Sequence, residues 1–392
     1  MRPTYLRHAL FAFSLFALPL LLASRPASAL PQFQLTSGTN RCGQCHYAPA
    51  GTGLISAWGR DESADTISRG GDGSFLHGLW APPSWLALGG DVRLVSLMSN
   101  TGGPESPERV SFPMQADLYA RFVLPEGISL NIIAGDRGIV RPEDTTISGR
   151  TSSAVDRFMS REHYLMWRPS ATGAYVRAGR FFAPYGLRLV EHIFYSRRFT
   201  GNALYEEPYA LSGGFVADDW EIHATAFVPI PRSFPDPLQS IGYKEKGGTV
   251  FGELRFGNIG LLGLQTRIGI GDEEARYQGG TIAKAWLDSA KLLFMGQADV
   301  IYQTIKGSSE AQTQFVSYAG LTLIPIRGLM ATAAYERFQE NLEIKRTGHN
   351  AYDLEVNFFP WAHIELLILG RIQKNADGTN ATLGMLQFHY YL

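Results

Sequence analysis

Past its first thirty residues this chain has no apolar run approaching the ~20 residues of a membrane-spanning helix, which excludes a helical membrane protein for the bulk of it. It has no excess of either charge, since 35 Lys and Arg stand against 36 Asp and Glu for a net charge of -1. A general basic surface is thereby excluded, and no nucleic-acid partner is expected. Cysteine is almost absent, with 2 in 392 residues, so no disulfide framework carries the fold. Both cysteines fall in one short motif, Cys42-Gly43-Gln44-Cys45-His46.

What is present begins with a secretory signal peptide over residues 1–29. Arg2 and Arg7 precede an apolar run from Ala9 to about Leu22, and Ala27-Ser28-Ala29 forms a small-x-small cleavage site before Leu30. Ser14 and Pro19 interrupt the run, which is too short for an uncleaved anchor. The exported chain then divides into a haem segment with its tether, 30–84, and a β-rich remainder, 85–392.

The C-x-x-C-H spacing has a chemical reason. Two thiols two residues apart reach the two vinyl groups of one porphyrin, and the next residue, His46, is placed beneath the iron as an axial ligand. The expectation is one covalent haem c on Cys42, Cys45 and His46, attached outside the cytoplasm as the signal peptide requires. A thioredoxin-like pair needs a βαβ setting that is missing, zinc needs a fourth ligand, and a plain structural disulfide stays open. For the second axial ligand the nearest histidine is His77, in Ser74-Phe75-Leu76-His77-Gly78, followed by Met98, His163 and His192. A lone histidine is also a common surface or capping residue. Met/His ligation would raise the reduction potential relative to two histidines.

From Trp85 to Leu392 short alternating segments are separated by Gly, Pro, Asn and Asp clusters. Phe112, Met114, Ala116, Leu118, Ala120 and Phe122 alternate with Gln115, Asp117, Tyr119 and Arg121, so one face is expected against lipid and the other against water. Val250, Gly252, Leu254 and Phe256 against Thr249, Glu253 and Arg255 repeat the pattern. So does the last segment, with Leu386, Phe388, Tyr390 and Leu392 against Gln387, His389 and Tyr391. Segments begin near 86, 112, 129, 160, 174, 210, 220, 247, 259, 276, 290, 312, 328, 350, 363 and 382. The fold expected is all-β: a transmembrane antiparallel β-barrel of about 16 strands behind a short haem-binding segment, with an aqueous lumen. A composition of 45% hydrophobic and 18% charged residues does not argue against it, because alternation averages hydropathy away. A soluble β-sandwich array is the competing reading. An even strand count puts both barrel ends on the periplasmic side, and about forty tether residues at ~3.3 Å each would reach any depth of the pore.

Residues 31–60 resemble the leading segment of fused monohaem cytochrome-porins, outer-membrane iron oxidases of iron-oxidising bacteria, through Pro31-Gln32-Phe33, the C-x-x-C-H motif and Trp58-Gly59-Arg60. The sequence departs from that family by the Gly-rich piece Pro49–Gly53 and by lacking a Phe-Pro soon after His46. The final aromatic strand resembles the insertion signal of outer-membrane barrels, although it ends in Leu. The order Gly179-Arg180-Phe181, Pro184-Tyr185-Gly186, Glu191-His192 resembles the loop region of phosphate-selective porins, in which a loop folds inward. Arg177, Arg180, Arg188, Arg197 and Arg198 would then form a positive constriction. Equally, they pair with Glu191, Glu206 and Glu207 as structural ion pairs.

The resemblance implies an outer-membrane electron carrier of a Gram-negative bacterium, an iron:cytochrome oxidoreductase in its strongest form. Its partners would be membrane lipid, a periplasmic c-type cytochrome or other carrier, and extracellular ferrous iron. The alternative is an anion-selective porin, with small anions as cargo and the haem segment as plug or redox gate. A peroxidase-like enzyme would need distal acid-base groups, for which no pattern is present.

Overall fold

The computed structural model describes residues 30–37, 39–100, 107–136, 158–203, 207–229, 245–308 and 310–392, with the backbone alone at 146–147 and 150–151. The signal-peptide expectation and Glu206 lie outside the described residues. No described helix is long and apolar enough to cross a membrane, a statement that does not bear on strands.

Sixteen strands form one closed antiparallel barrel. They are β1 (Leu86–Asn100), β2 (Glu108–Val123), β3 (Ile128–Asp136), β4 (Phe158–Trp167), β5 (Gly173–Arg180), β6 (Tyr209–Val216), β7 (Trp220–Val228) and β8 (Lys246–Phe256). The second half comprises β9 (Gly260–Ile270), β10 (Glu274–Leu287), β11 (Leu292–Ile305), β12 (Ala311–Ile326), β13 (Leu329–Gln339), β14 (Gly348–Trp361), β15 (Ile364–Lys374) and β16 (Asn380–Tyr391). Each pairs with its chain neighbours, and β16 closes on β1 from Tyr391 opposite Asp91 to Thr382 opposite Asn100. All sixteen expected starts lie within four residues of the observed ones. The end that carries both ends of the barrel chain has short turns, such as Ala362-His363, whereas the opposite end carries the long connections, including 181–208.

The alternation works as the sequence implies. On β7, Glu221, His223 and Thr225 are buried inside while Trp220, Ile222 and Val228 are exposed outside. A soluble sheet has the opposite polarity, so this inversion is what marks the outer face as lipid-facing. Trp85, Trp167, Trp220 and Trp361 stand exposed near the short-turn end, as an interfacial aromatic girdle does.

Two expectations are corrected. Phe112 and Met114 do not share the outer face with Leu118. The pairing of β1 with β2 slips between Arg93 and Leu94, and this bulge reverses the phase, so Phe112 sits opposite buried Val95 and Met114 lines the lumen. Nor is the lumen simply aqueous. The described residues of 30–78, the plug, and of 181–208, the inner loop, enter it and pack against the wall. Leu35 of the plug and Leu187, Leu189 and Phe194 of the loop join Phe251, Leu293, Met295 and Leu367 in one buried apolar cluster. Phe33 packs edge-on to Phe359 in a second cluster, at 6.0 Å between ring centres. Sixteen strands leave room that the wall side chains cannot fill, and these two segments bring apolar residues into it.

Candidate functional site

The site is built from the plug upward. Cys42–Cys45 form a single helical turn, α1, which brings the two thiols to one side; both are free. His46 then leaves the helix in extended conformation and bridges to Ile55, closing a hairpin whose bend is the Gly-rich piece flagged in the sequence. That bend returns the Gly53 carbonyl to 3.3 Å from His46 Nδ1. A contact of this kind with a backbone carbonyl orients a histidine ring. Gly51 has a left-handed φ of 83°, and a Cβ on it would lie 3.1 Å from Cys42 Cβ and 3.8 Å from His46 Cδ2. Only glycine leaves that side of the motif clear.

A second helix, α2 (Ala57–Glu62), is capped by Ser56, whose Oγ accepts from Gly59 N at 3.1 Å. Gly59 lies so close to the motif that a Cβ would stand 2.3 Å from the Cys45 carbonyl oxygen, and Arg60 reaches on to donate to Leu88 O on β1. The Trp-Gly-Arg sequence thus joins the C-x-x-C-H turn to the barrel wall.

Above this turn lies a cavity of about 300 Å³, lined among others by Cys42, Cys45, His46, Arg93, Arg188 and His192. The inner loop forms its far wall. Tyr185 donates to Asp299 Oδ1 at 2.7 Å, and the backbone N–H groups of Gly186 and Leu187 donate to Gln265 and Gln297, which anchors the loop to β9 and β11. Arg188, at a positive φ of 59°, then turns onto the plug. It donates to Ala50 O at 2.5 Å, lies 3.7 Å from Cys42 Sγ and sits 3.9 Å from Glu253. A non-glycine residue held there costs of order 1–3 kcal/mol, and the three contacts keep it in place.

Burial pushes the Cys45 thiol up to about 12, and Cys42 is also raised, chiefly by burial. A reactive redox dithiol needs the opposite, a lowered thiol pKa in an electropositive setting. Two thiols on one turn, an adjacent imidazole with Nδ1 engaged and a cavity over them fit the attachment pattern of a c-type haem. Burial likewise holds the His192 imidazole down to about 4, helped by the charges of Arg197, Arg93, Arg161 and Arg198.

The structure does not bring His77 to this cavity. Its ring packs 5.0 Å from that of His363, and Nε2 lies 3.2 Å from Tyr390 OH at the barrel rim. Met98 lies 47% exposed on the outer face of β1, and His163 is held by Ser160 and Tyr209 away from the cavity lining. Of the sequence's alternatives, His192 alone reaches the cavity wall.

The five arginines also separate. Arg177, Arg188 and Arg197 line the cavity, whereas Arg180 and Arg198 do not. Arg180 is tied to Glu207 and to Ser160 O, and Arg198 is exposed beside Phe199. Arg197 braces the loop by donating to the carbonyls of Leu189 and Asn202, and burial, followed by the Arg161 charge, lowers it to about 10. Sequence reasoning missed Arg93 and Arg161, which line the same cavity from β1 and β4. Their inward alternation on strands was the available signal.

Among solved structures the chain is similar to outer-membrane OmpT of Vibrio cholerae, with a TM-score of 0.59 at 9% identity over 80% of this chain and 99% of that one. It is also similar to OprB of Pseudomonas putida, with a TM-score of 0.60 at 10% identity over 78% and 94%. The fold is that of an outer-membrane porin. A third porin, the anion-selective porin of Comamonas acidovorans, matches at a TM-score of 0.56 and 12% identity over 78% of this chain and 99% of that one. No family model matches the sequence, and no curated protein does. At such identities the likeness concerns the porin-like barrel alone.

Proposed function

We propose that this porin-like barrel resides in the outer membrane and carries electrons through one c-type haem bound to Cys42 and Cys45 with His46 as axial ligand. The observation that carries the reading is the C-x-x-C-H turn, with both thiols free, facing a cavity inside a closed barrel. Bound there, the haem supplies a one-electron couple. The chain's own residues do the rest: Gly53 O orients the His46 ring, Gly51 leaves space beside Cys42, and Arg188 presses plug and loop together. The hydrocarbon core is ~30 Å thick, so a single cofactor near the short-turn end needs a soluble partner on at least one side. A periplasmic c-type cytochrome on one side and ferrous iron on the other suit that arrangement.

A second reading is an anion-selective porin in which the plug is a gate. The comparisons favour it, since an anion-selective porin is among the similar structures, and so do Arg93, Arg161, Arg177, Arg188 and Arg197 around one cavity. The absorbance spectrum of protein purified from a host competent in cytochrome maturation decides between them. A reducible haem spectrum supports electron carriage; colourless protein that passes anions into liposomes overturns it in favour of the second reading.

A further inference from the structure

We propose, on the haem reading above, that His192 of the inner loop is the second axial ligand to the iron, opposite His46. Of the histidines among the described residues, only His192 and His389 line the cavity together with His46. His389 is held between carboxylates, Glu365 at 2.7 Å and Asp91 at 3.1 Å, so both ring nitrogens are engaged. The remaining histidines are placed elsewhere: His223 between Tyr175 and Glu221, His349 on Glu340, His363 on Ser74 O, and His77 and His163 as described. The His192 imidazole alone makes no hydrogen bond among the described residues while facing a cavity in the protein interior. An imidazole without a hydrogen-bond partner that lines the same cavity as the C-x-x-C-H turn is available to act as a ligand.

The loop also delivers it to the right place. Four residues before His192, Arg188 touches Cys42 Sγ and Ala50 O, so the segment bearing His192 is latched directly to the turn bearing His46. Met114 lines the same cavity, but from the wall at the β2 bulge and not from the loop that Arg188 latches to the plug. Coordination requires only that an imidazole nitrogen give its lone pair to iron, with no proton or electron exchanged. The site is thereby shared: the plug supplies one axial ligand and the opposite side's loop the other.

The test compares wild type, His192→Ala, His192→Met and Met114→Leu, each purified as full chain, with haem content measured by staining of denaturing gels. Wild type should give the low-spin ferric electron paramagnetic resonance of two histidines. His192→Ala should retain covalent haem, turn mostly high-spin, and recover the low-spin signal with added imidazole. His192→Met should stay low-spin with a raised potential, and it remains informative if the alanine variant fails to assemble. An unchanged low-spin signal in His192→Ala overturns the assignment, as does a methionine–iron charge-transfer band in wild type that vanishes in Met114→Leu. A high-spin wild type overturns it too. A wild type without haem defeats the haem reading itself, which the gel stain distinguishes from the other results.

Discussion

At the scale of single residues, the C-x-x-C-H turn depends on side chains that are missing. Gly59→Ala places a methyl group against the Cys45 carbonyl and must push α2 away from the motif, at a cost of about 1–3 kcal/mol. The expected outcome is reduced haem content at unchanged barrel yield, checked by haem stain against total protein. A second prediction concerns His363, whose Nε2 lies 3.2 Å from Ser74 O where the tether crosses the rim. Burial, then the neighbouring His77 charge, depresses its pKa to about 4, with Arg60 acting in the same sense and Asp72 nearby. The released state takes up a proton near 6.5, so docking is fully stable above that pH and weakens as pH falls towards 4. Hydrogen exchange of residues 72–78 should rise over that interval in wild type, and His363→Gln should flatten the dependence. The turn that sets Cys42 and Cys45 side by side was legible because the motif is local and its spacing carries it. His77 does not line the cavity, because nearness in sequence is not nearness in space: His192, which does line it, comes from a loop far along the chain.

At the scale of elements, the strands were legible because lipid on one side and polar surroundings on the other impose a period of two on every one of them. The inward turn of Phe112 and Met114 was not, because one inserted residue at a bulge reverses the phase without any mark in composition. The filling of the lumen was hidden as well. Leu35 reads as an ordinary tether residue until Leu187, Phe194 and Phe251 are found around it. Leu35→Ala should destabilise plug docking by about 2–5 kcal/mol, seen as faster proteolysis of residues 30–78 while the barrel resists. Arg188→Ala removes a polar contact between plug and loop and should do the same, with a measurable increase in chloride entry into liposomes.

At the scale of the whole molecule, the barrel and its contents are separable. All sixteen strands lie between Leu86 and Tyr391, and the ring closes without the plug. Deleting residues 31–78 with residues 1–30 kept should therefore leave a heat-modifiable barrel and open a wide conductance in planar bilayers; an unchanged conductance would show that the inner loop alone closes the lumen. The arginines around the cavity should then make the opened pore prefer anions, with a preference that falls as salt rises.

The plug's seat includes the very end of the chain. Ser63 Oγ lies 3.3 Å from Tyr391 OH, His77 meets Tyr390, and the Leu392 backbone pairs with Gly90, next to the Gly89 against which Leu54 packs. These partners stand more than 300 residues apart, so this side of the seat does not exist until the last strand has joined the first. The plug, made before the barrel, comes to rest after it, and any group joined to it must ride along, unsheltered, until the ring has closed.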